Sequence, residues 1–107
     1  MKTAFKEKFE PRPSHLTEKI IELIKTEVPI EEMVGEFSDL TKHNTRFIGN
    51  CPFCDESSSS LFVYPESKTF YCSRCLKQGD VFQFIMEIDG VTFKDAFKII
   101  LTRYAGL

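Results

Sequence analysis

The four cysteines are the residues in this chain whose types and spacing most clearly point to chemistry. Cys51 and Cys54 form one Cys-x-x-Cys pair, Cys72 and Cys75 form another, and seventeen residues separate the pairs. Two residues between paired thiols let both sulfurs of a turn point at one ion. The spacer is long enough for a hairpin to bring the two turns together. Zn²⁺ accepts four thiolates tetrahedrally and carries no redox chemistry, and this spacing lies in the range read as a zinc site. One structural Zn²⁺ held by Cys51, Cys54, Cys72 and Cys75 is the expectation. Four protein ligands close the coordination shell, so the metal reads as a fold element with no position for substrate. His43, eight residues before Cys51, is not needed as a ligand.

The competing readings want features that this sequence lacks. Two disulfides would need an oxidising compartment. Residues 1–15 mix Lys, Glu, Pro and Phe without the apolar run or small-residue cleavage site of a signal peptide. A dithiol redox pair usually shows one Cys-x-x-Cys at a strand-to-helix turn, whereas two pairs on short β elements are expected here. Iron in the same tetrahedron is the chemical alternative to zinc. No apolar stretch approaches the roughly 20 residues of a membrane span. The expected setting is cytoplasmic, with no membrane partner.

The elements that must hold these cysteines can be read from periodicity. Residues 1–15 read as a loose leader, because Pro11-Arg12-Pro13 cannot sit inside a helix or a paired strand. Leu16, Ile20, Leu23 and Ile24, with Ile21 beside them, predict a helix capped by Ser14 or Thr17. Pro29 predicts a second, shorter helix over 30–34, with Pro29 at its first position. Residues 46–50 read as extended and lead into Cys51. A polar loop with four consecutive serines follows. Leu61-Phe62-Val63-Tyr64 and Thr69-Phe70-Tyr71, joined by Pro65-Glu66-Ser67-Lys68, predict a hairpin that delivers Cys72. Val81, Phe84, Ile85 and Ile88 predict a helix capped by Asp80 and ended at Asp89-Gly90. Phe93, Ala96, Phe97, Ile100, Leu101 and Tyr104 make the buried stripe of a last helix, with Thr92 as its cap. The fold class is α+β: a zinc ribbon, meaning a small antiparallel β-sheet with a four-cysteine site, flanked by N- and C-terminal helices. Residues 16–107 read as one domain.

Composition limits what that domain does. Among the 107 residues, apolar content of 42% and eleven Phe predict a folded chain. A core this small gains from a metal staple. The formal charge is −2, and four thiolates with one Zn²⁺ would bring it near −4. A strongly basic balance would have pointed to nucleic acid. This one does not, so any DNA role must rest on specific residues.

Those residues carry a resemblance. Phe47-Ile48-Gly49-Asn50-Cys51-Pro52-Phe53-Cys54 resembles the start of the zinc-binding domain of bacterial (DnaG-type) DNA primases. Ser60-Leu61-Phe62-Val63, the knuckle Phe70-Tyr71-Cys72-Ser73-Arg74-Cys75, Gly79-Asp80-Val81-Phe82-Gln83-Phe84-Ile85-Met86 and Val91-Thr92-Phe93-Lys94-Asp95-Ala96 continue it in order. Even Val28-Pro29-Ile30-Glu31-Glu32-Met33-Val34 is similar to the family's helix ahead of the ribbon. The chain departs at Cys54, where the family usually has His. Serines and Leu61 replace a Thr-Pro-Ser-Phe approach, and Ser73, Arg74, Leu76 and Lys77 replace the usual aromatic and glycines of the second knuckle.

The resemblance implies a domain that binds single-stranded DNA template and assists RNA primer initiation. It also implies that a separate polymerase domain performs the phosphoryl transfer, so this chain would have no catalytic centre of its own. Single-strand binding calls for cations along phosphates and aromatic faces for bases. Lys42, Arg46, Lys68, Arg74 and Lys77 are the candidate cations, with Tyr64, Phe70 and Tyr71 as the stacking surface. A primase catalytic subunit, polymerase or helicase is the implied protein partner. The alternative is a protein–protein adaptor whose zinc ribbon is scaffold and whose apolar helices dock such a subunit. Net acidity favours the adaptor and the motif string favours the primase module.

Overall fold

The computed structural model describes residues 15–54 and 59–104. The expected leader through residue 14, the Ser14 cap and most of the polar loop fall outside these residues. Among the described residues, nine elements follow in order: α1 (His15–Glu27), α2 (Ile30–Gly35), β1 (Leu40–His43), β2 (Arg46–Gly49), β3 (Leu61–Tyr64), β4 (Thr69–Cys72), β5 (Gln78–Gly79), α3 (Val81–Asp89) and α4 (Phe93–Arg103). The five strands form one antiparallel sheet in sequence order. An α+β zinc-ribbon fold is what the structure shows.

The helices form where the periodicity places them, with several corrections. Thr17 lies inside α1, not at its cap. Ile24 and Val28 are buried, whereas Leu16 and Leu23 are well exposed. At 100° per residue, positions 20, 24 and 28 share one face, and 16 and 23 fall about 80° and 100° from its centre. Pro29 sits one position earlier than expected, as the extended N-cap of α2. Its carbonyl accepts from the Glu32 and Met33 amides. Ile30, Met33 and Val34 then go fully inside at i, i+3 and i+4.

Asp80 caps α3 by accepting from Phe82 and Gln83, and Gly90 ends that helix in the left-handed conformation. Thr92 accepts from the Asp95 amide at the start of α4. On α4, Ala96 and Ile100 are fully buried, but Phe93 is 41% exposed. It stands on the first turn and packs at a tilt against Phe82, with ring centres 4.8 Å apart.

Two strands are additions to the expectation. Asn44, at φ 60°, turns β1 back onto β2 through a two-residue connection. β5 adds a short edge beside β4. The expected hairpin forms from β3 and β4, closed by the Lys68 amide donating to the Tyr64 carbonyl at 2.7 Å.

Strict alternation sorts the sheet into two faces. Leu61, Val63, Phe70 and Cys72 point inward and are buried with Ile30, Met33, Val34, Phe84 and Ile85. Phe84 is the hub of the aromatic core, with ring centres 5.3 Å from Phe70, 5.5 Å from Phe53 and 5.7 Å from Phe37. At Gly49 the chain passes so close to Asp39 and Leu40 that a Cβ would lie 2.7 Å from the Asp39 carbonyl oxygen. Only glycine fits there, two residues before the first cysteine.

Candidate metal centre and nucleic-acid face

The first knuckle leaves the end of β2. The Cys54 amide donates to the Cys51 carbonyl and the Phe53 amide donates to Cys51 Sγ at 3.4 Å. Between the two sulfurs, Phe53 turns inward and packs on Phe70 and Phe84. The knuckle is thus fixed to the core by its own middle residue. The second knuckle begins on the last residue of β4. The Arg74 and Cys75 amides both donate to Cys72 Sγ at 3.4 Å, and the Leu76 amide donates to the Cys72 carbonyl.

These two turns bring all four sulfurs within 4.8 Å of one another. Cys51 and Cys75 are 3.8 Å apart, and Cys54 and Cys72 are 3.6 Å apart. All four thiols are free. A tetrahedron with Zn–S bonds of about 2.3 Å has sulfur–sulfur edges of about 3.8 Å. The donor set therefore fits one zinc ion with little movement, and the four cysteines constitute one structural zinc site. Cys51 and Cys72 are buried while Cys54 and Cys75 are partly exposed.

The sulfurs are not equivalent electrostatically. Burial pushes Cys51 well above the ordinary thiol range, and Cys54 is also raised by desolvation. Burial acts on Cys72 in the same direction. However, donation from Ser60 and from the Cys75 and Arg74 amides outweighs it and pulls Cys72 down to about 6. Ser60 is a contributor that the sequence reading missed. Its hydroxyl is 3.4 Å from Cys72 Sγ, it is 4% exposed, and its carbonyl accepts from the Ser73 amide. The usable signal was register: pairing Leu61 with Cys72 sets Ser60 beside the second knuckle.

The proposed DNA-contacting residues are divided by the sheet. Cross-strand pairing aligns Thr41, Ile48, Phe62, Tyr71 and Gln78 in one row on the outer face. Arg46 and Tyr64 point the same way, and the Arg46 guanidinium lies 5.0 Å above the Phe62 ring. Phe62, Tyr64 and Tyr71 all stay partly exposed.

Phe70 is a correction. It is 1% exposed and belongs to the core, because it alternates with Tyr71 and pairs with inward-facing Val63. Phe62 takes its place in the aromatic row. Lys42 lies in register with Phe47, on the opposite face from Arg46, and is exposed at the sheet edge. Lys68 stands at the β3–β4 turn. Arg74 is on the second knuckle. Lys77 is engaged elsewhere: its ammonium pairs with Glu87 at 3.0 Å and sits 5.9 Å from the Phe53 ring centre.

Comparison with known proteins agrees with this architecture. Residues 16–106 match the family model described as CHC2 zinc finger, for DnaG. A DNA primase of Listeria monocytogenes is 35% identical over 85 residues, covering 79% of this chain and 14% of that protein. A DNA primase of Thermotoga maritima is 35% identical over 89 residues, covering 83% and 16%. Among solved structures, the Aquifex aeolicus primase (zinc-binding and RNA polymerase domains) superposes with a TM-score of 0.73 at 26% identity. The match covers 79% of this chain and 21% of that one. The chain thus spans about one seventh of the length of these curated relatives.

Proposed function

The chain belongs to the CHC2 zinc-finger family of DnaG-type DNA primases, and from that premise we propose that its outer sheet face binds single-stranded DNA template. The observation that carries this reading is the row Ile48–Phe62–Tyr71, flanked by Arg46 and Tyr64. Aromatic and apolar side chains that stay partly exposed on a rigid strand pair offer faces on which bases stack, and an arginine beside them meets the phosphates. Lys68 and Arg74 extend the cationic edge towards the hairpin tip and the zinc. In this reading the domain holds template while a primer is started, and phosphoryl transfer belongs to another part of the primase. Two observations support that division. The relatives are about seven times longer than the matched segment, and the Aquifex protein has a named RNA polymerase domain beside its zinc-binding one. Relatives named DNA primase support template binding over the adaptor reading.

Fluorescence anisotropy with a labelled single-stranded oligonucleotide tests the proposal. Arg46→Glu should weaken binding about tenfold and lower the salt slope by about 0.7 for each phosphate that is no longer neutralised. Tyr71→Ala should cost about 1–3 kcal/mol for a stacked base. Both variants should keep one zinc. If both bind like the parent chain, this face is not the template site.

A further inference from the structure

Beyond the row of Ile48, Phe62 and Tyr71, the sheet ends in a hollow between two turns. The register that pairs Phe47 with Val63 sets Arg46 beside Tyr64 and brings the β1–β2 turn next to the β3–β4 turn. Among the described residues, Thr45 from one turn and Glu66 and Ser67 from the other line a cavity of about 320 Å³, with Tyr64 as its remaining wall. That volume lies at the small end of the roughly 300–1,000 Å³ of small-molecule sites. Both turns are defined by their backbones. Asn44 holds φ at 60° in the first, and the Lys68 amide donates to the Tyr64 carbonyl at 2.7 Å in the second. The Ser67 and Thr69 hydroxyls lie 2.8 Å apart, in hydrogen-bond contact. Thr45 and Glu66 are exposed, and Tyr64 is partly so.

On the premise that this face binds single-stranded DNA, we propose that Glu66 is a specificity-determining residue, selecting guanine for the base that stacks on Tyr64. A carboxylate repels phosphate and has only acceptor oxygens, so what it holds is a base edge with donors. In a single strand the Watson–Crick edge is free to be read. Guanine alone carries two adjacent donors on that edge, N1–H and the N2 amine, and they match the two oxygens of a carboxylate. Adenine and cytosine offer one exocyclic amine next to a ring acceptor, and thymine offers one N–H between two carbonyls. Each of these sets a lone pair against the second carboxylate oxygen. The Tyr64 ring is a stacking face that any base can use, so the tyrosine gives affinity and the carboxylate gives choice. Arg46 beside Tyr64, and Lys68 two residues after Glu66, supply cations for the flanking phosphates and offset the acidic charge.

The test is fluorescence anisotropy of the full, zinc-loaded chain with a short oligothymidylate, and with the same strand carrying one central guanine, adenine or cytosine. The guanine strand should bind at least about fivefold more tightly than oligothymidylate. Deoxyinosine, which lacks the N2 amine, should lose most of that gain. A 7-deazaguanine, which keeps the N1 and N2 edge, should retain it. Glu66→Gln should bring the ratio of the guanine and thymidine affinities close to one, with zinc content unchanged. Equal binding of all strands, a preference for adenine or cytosine, or a guanine preference that survives Glu66→Gln overturns the proposal and leaves template binding standing. Failure of every strand to bind overturns the single-strand reading, and this proposal with it.

Discussion

The two knuckles have the same Cys-x-x-Cys spacing and are built differently. The second is stiff at its sulfur: Cys72 ends a paired strand, is fully buried, and accepts from Ser60 and two backbone amides. The first is stiff at its middle. Cys51 accepts a single amide, and the turn is held by Phe53 against Phe70 and Phe84. One knuckle is thus organised by polar contacts to a ligand, the other by apolar contacts next to it. Identical spacing in a sequence says that a metal is bound, and the surroundings decide which ligand is anchored and which is accessible.

The largest effect should come from attacking the anchored ligand. Cys72→Ser should abolish both stoichiometric zinc and cooperative unfolding, because a small metallodomain couples metal binding to folding. Cys54→His, on the other knuckle, should keep both. Equal damage from the two would erase the contrast. Inductively coupled plasma mass spectrometry and thermal melts check this.

Protonation sharpens the same contrast. In the metal-free site Cys51 and Cys54 hold their protons above the ordinary thiol range, whereas Cys72 is a thiolate down to a pH of about 6. Zinc must displace the protons of Cys51 and Cys54, so affinity falls as pH falls. The fall is expected to be steeper than tenfold per pH unit, because more than one proton is displaced, and to steepen further below a pH of about 6 as Cys72 protonates. Competition with a chromogenic chelator measures it, and a flat profile would mean that these thiols are already ionised.

Phe53→Ala should cost about 2–3 kcal/mol, below the value for a fully buried Phe because this ring is only partly covered. Zinc affinity should drop with stability, and a change in affinity alone would show that Phe53 acts on the ligands and not through the core. The smallest effect concerns Leu76, which holds φ at 65° and is 62% exposed. A branched side chain is strained in that conformation, and glycine is not. Leu76→Gly should raise stability by about 0.5–1 kcal/mol in a denaturant melt. Loss of stability would mean that the leucine packs against neighbours by more than its strain costs.

Some of this was legible before the structure, for identifiable physical reasons. The cysteines, the Asp80 and Thr92 caps, the Gly90 stop and the β3–β4 hairpin each depend on local residue chemistry and form as expected. What escaped depends on pairing. β1 has no apolar alternation, since Thr41, Lys42 and His43 are all exposed, and only the Asn44 turn marks it. The side of the sheet taken by Phe70 was set by register: a one-residue step separates a core ring from a surface one, and residue type does not distinguish them. Ser60 reads as one of four loop serines until Leu61 is paired with Cys72. The relation of Lys77 to Glu87 crosses from the knuckle to α3 and has no signature in spacing.

The most direct test of the zinc as a fold element is a melt of the protein before and after chelation, followed by circular dichroism, with zinc then titrated back. A structural four-cysteine site predicts that the cooperative transition disappears with the metal and returns in full at one zinc per chain. A metal-free protein that melts cooperatively at the same temperature would contradict it.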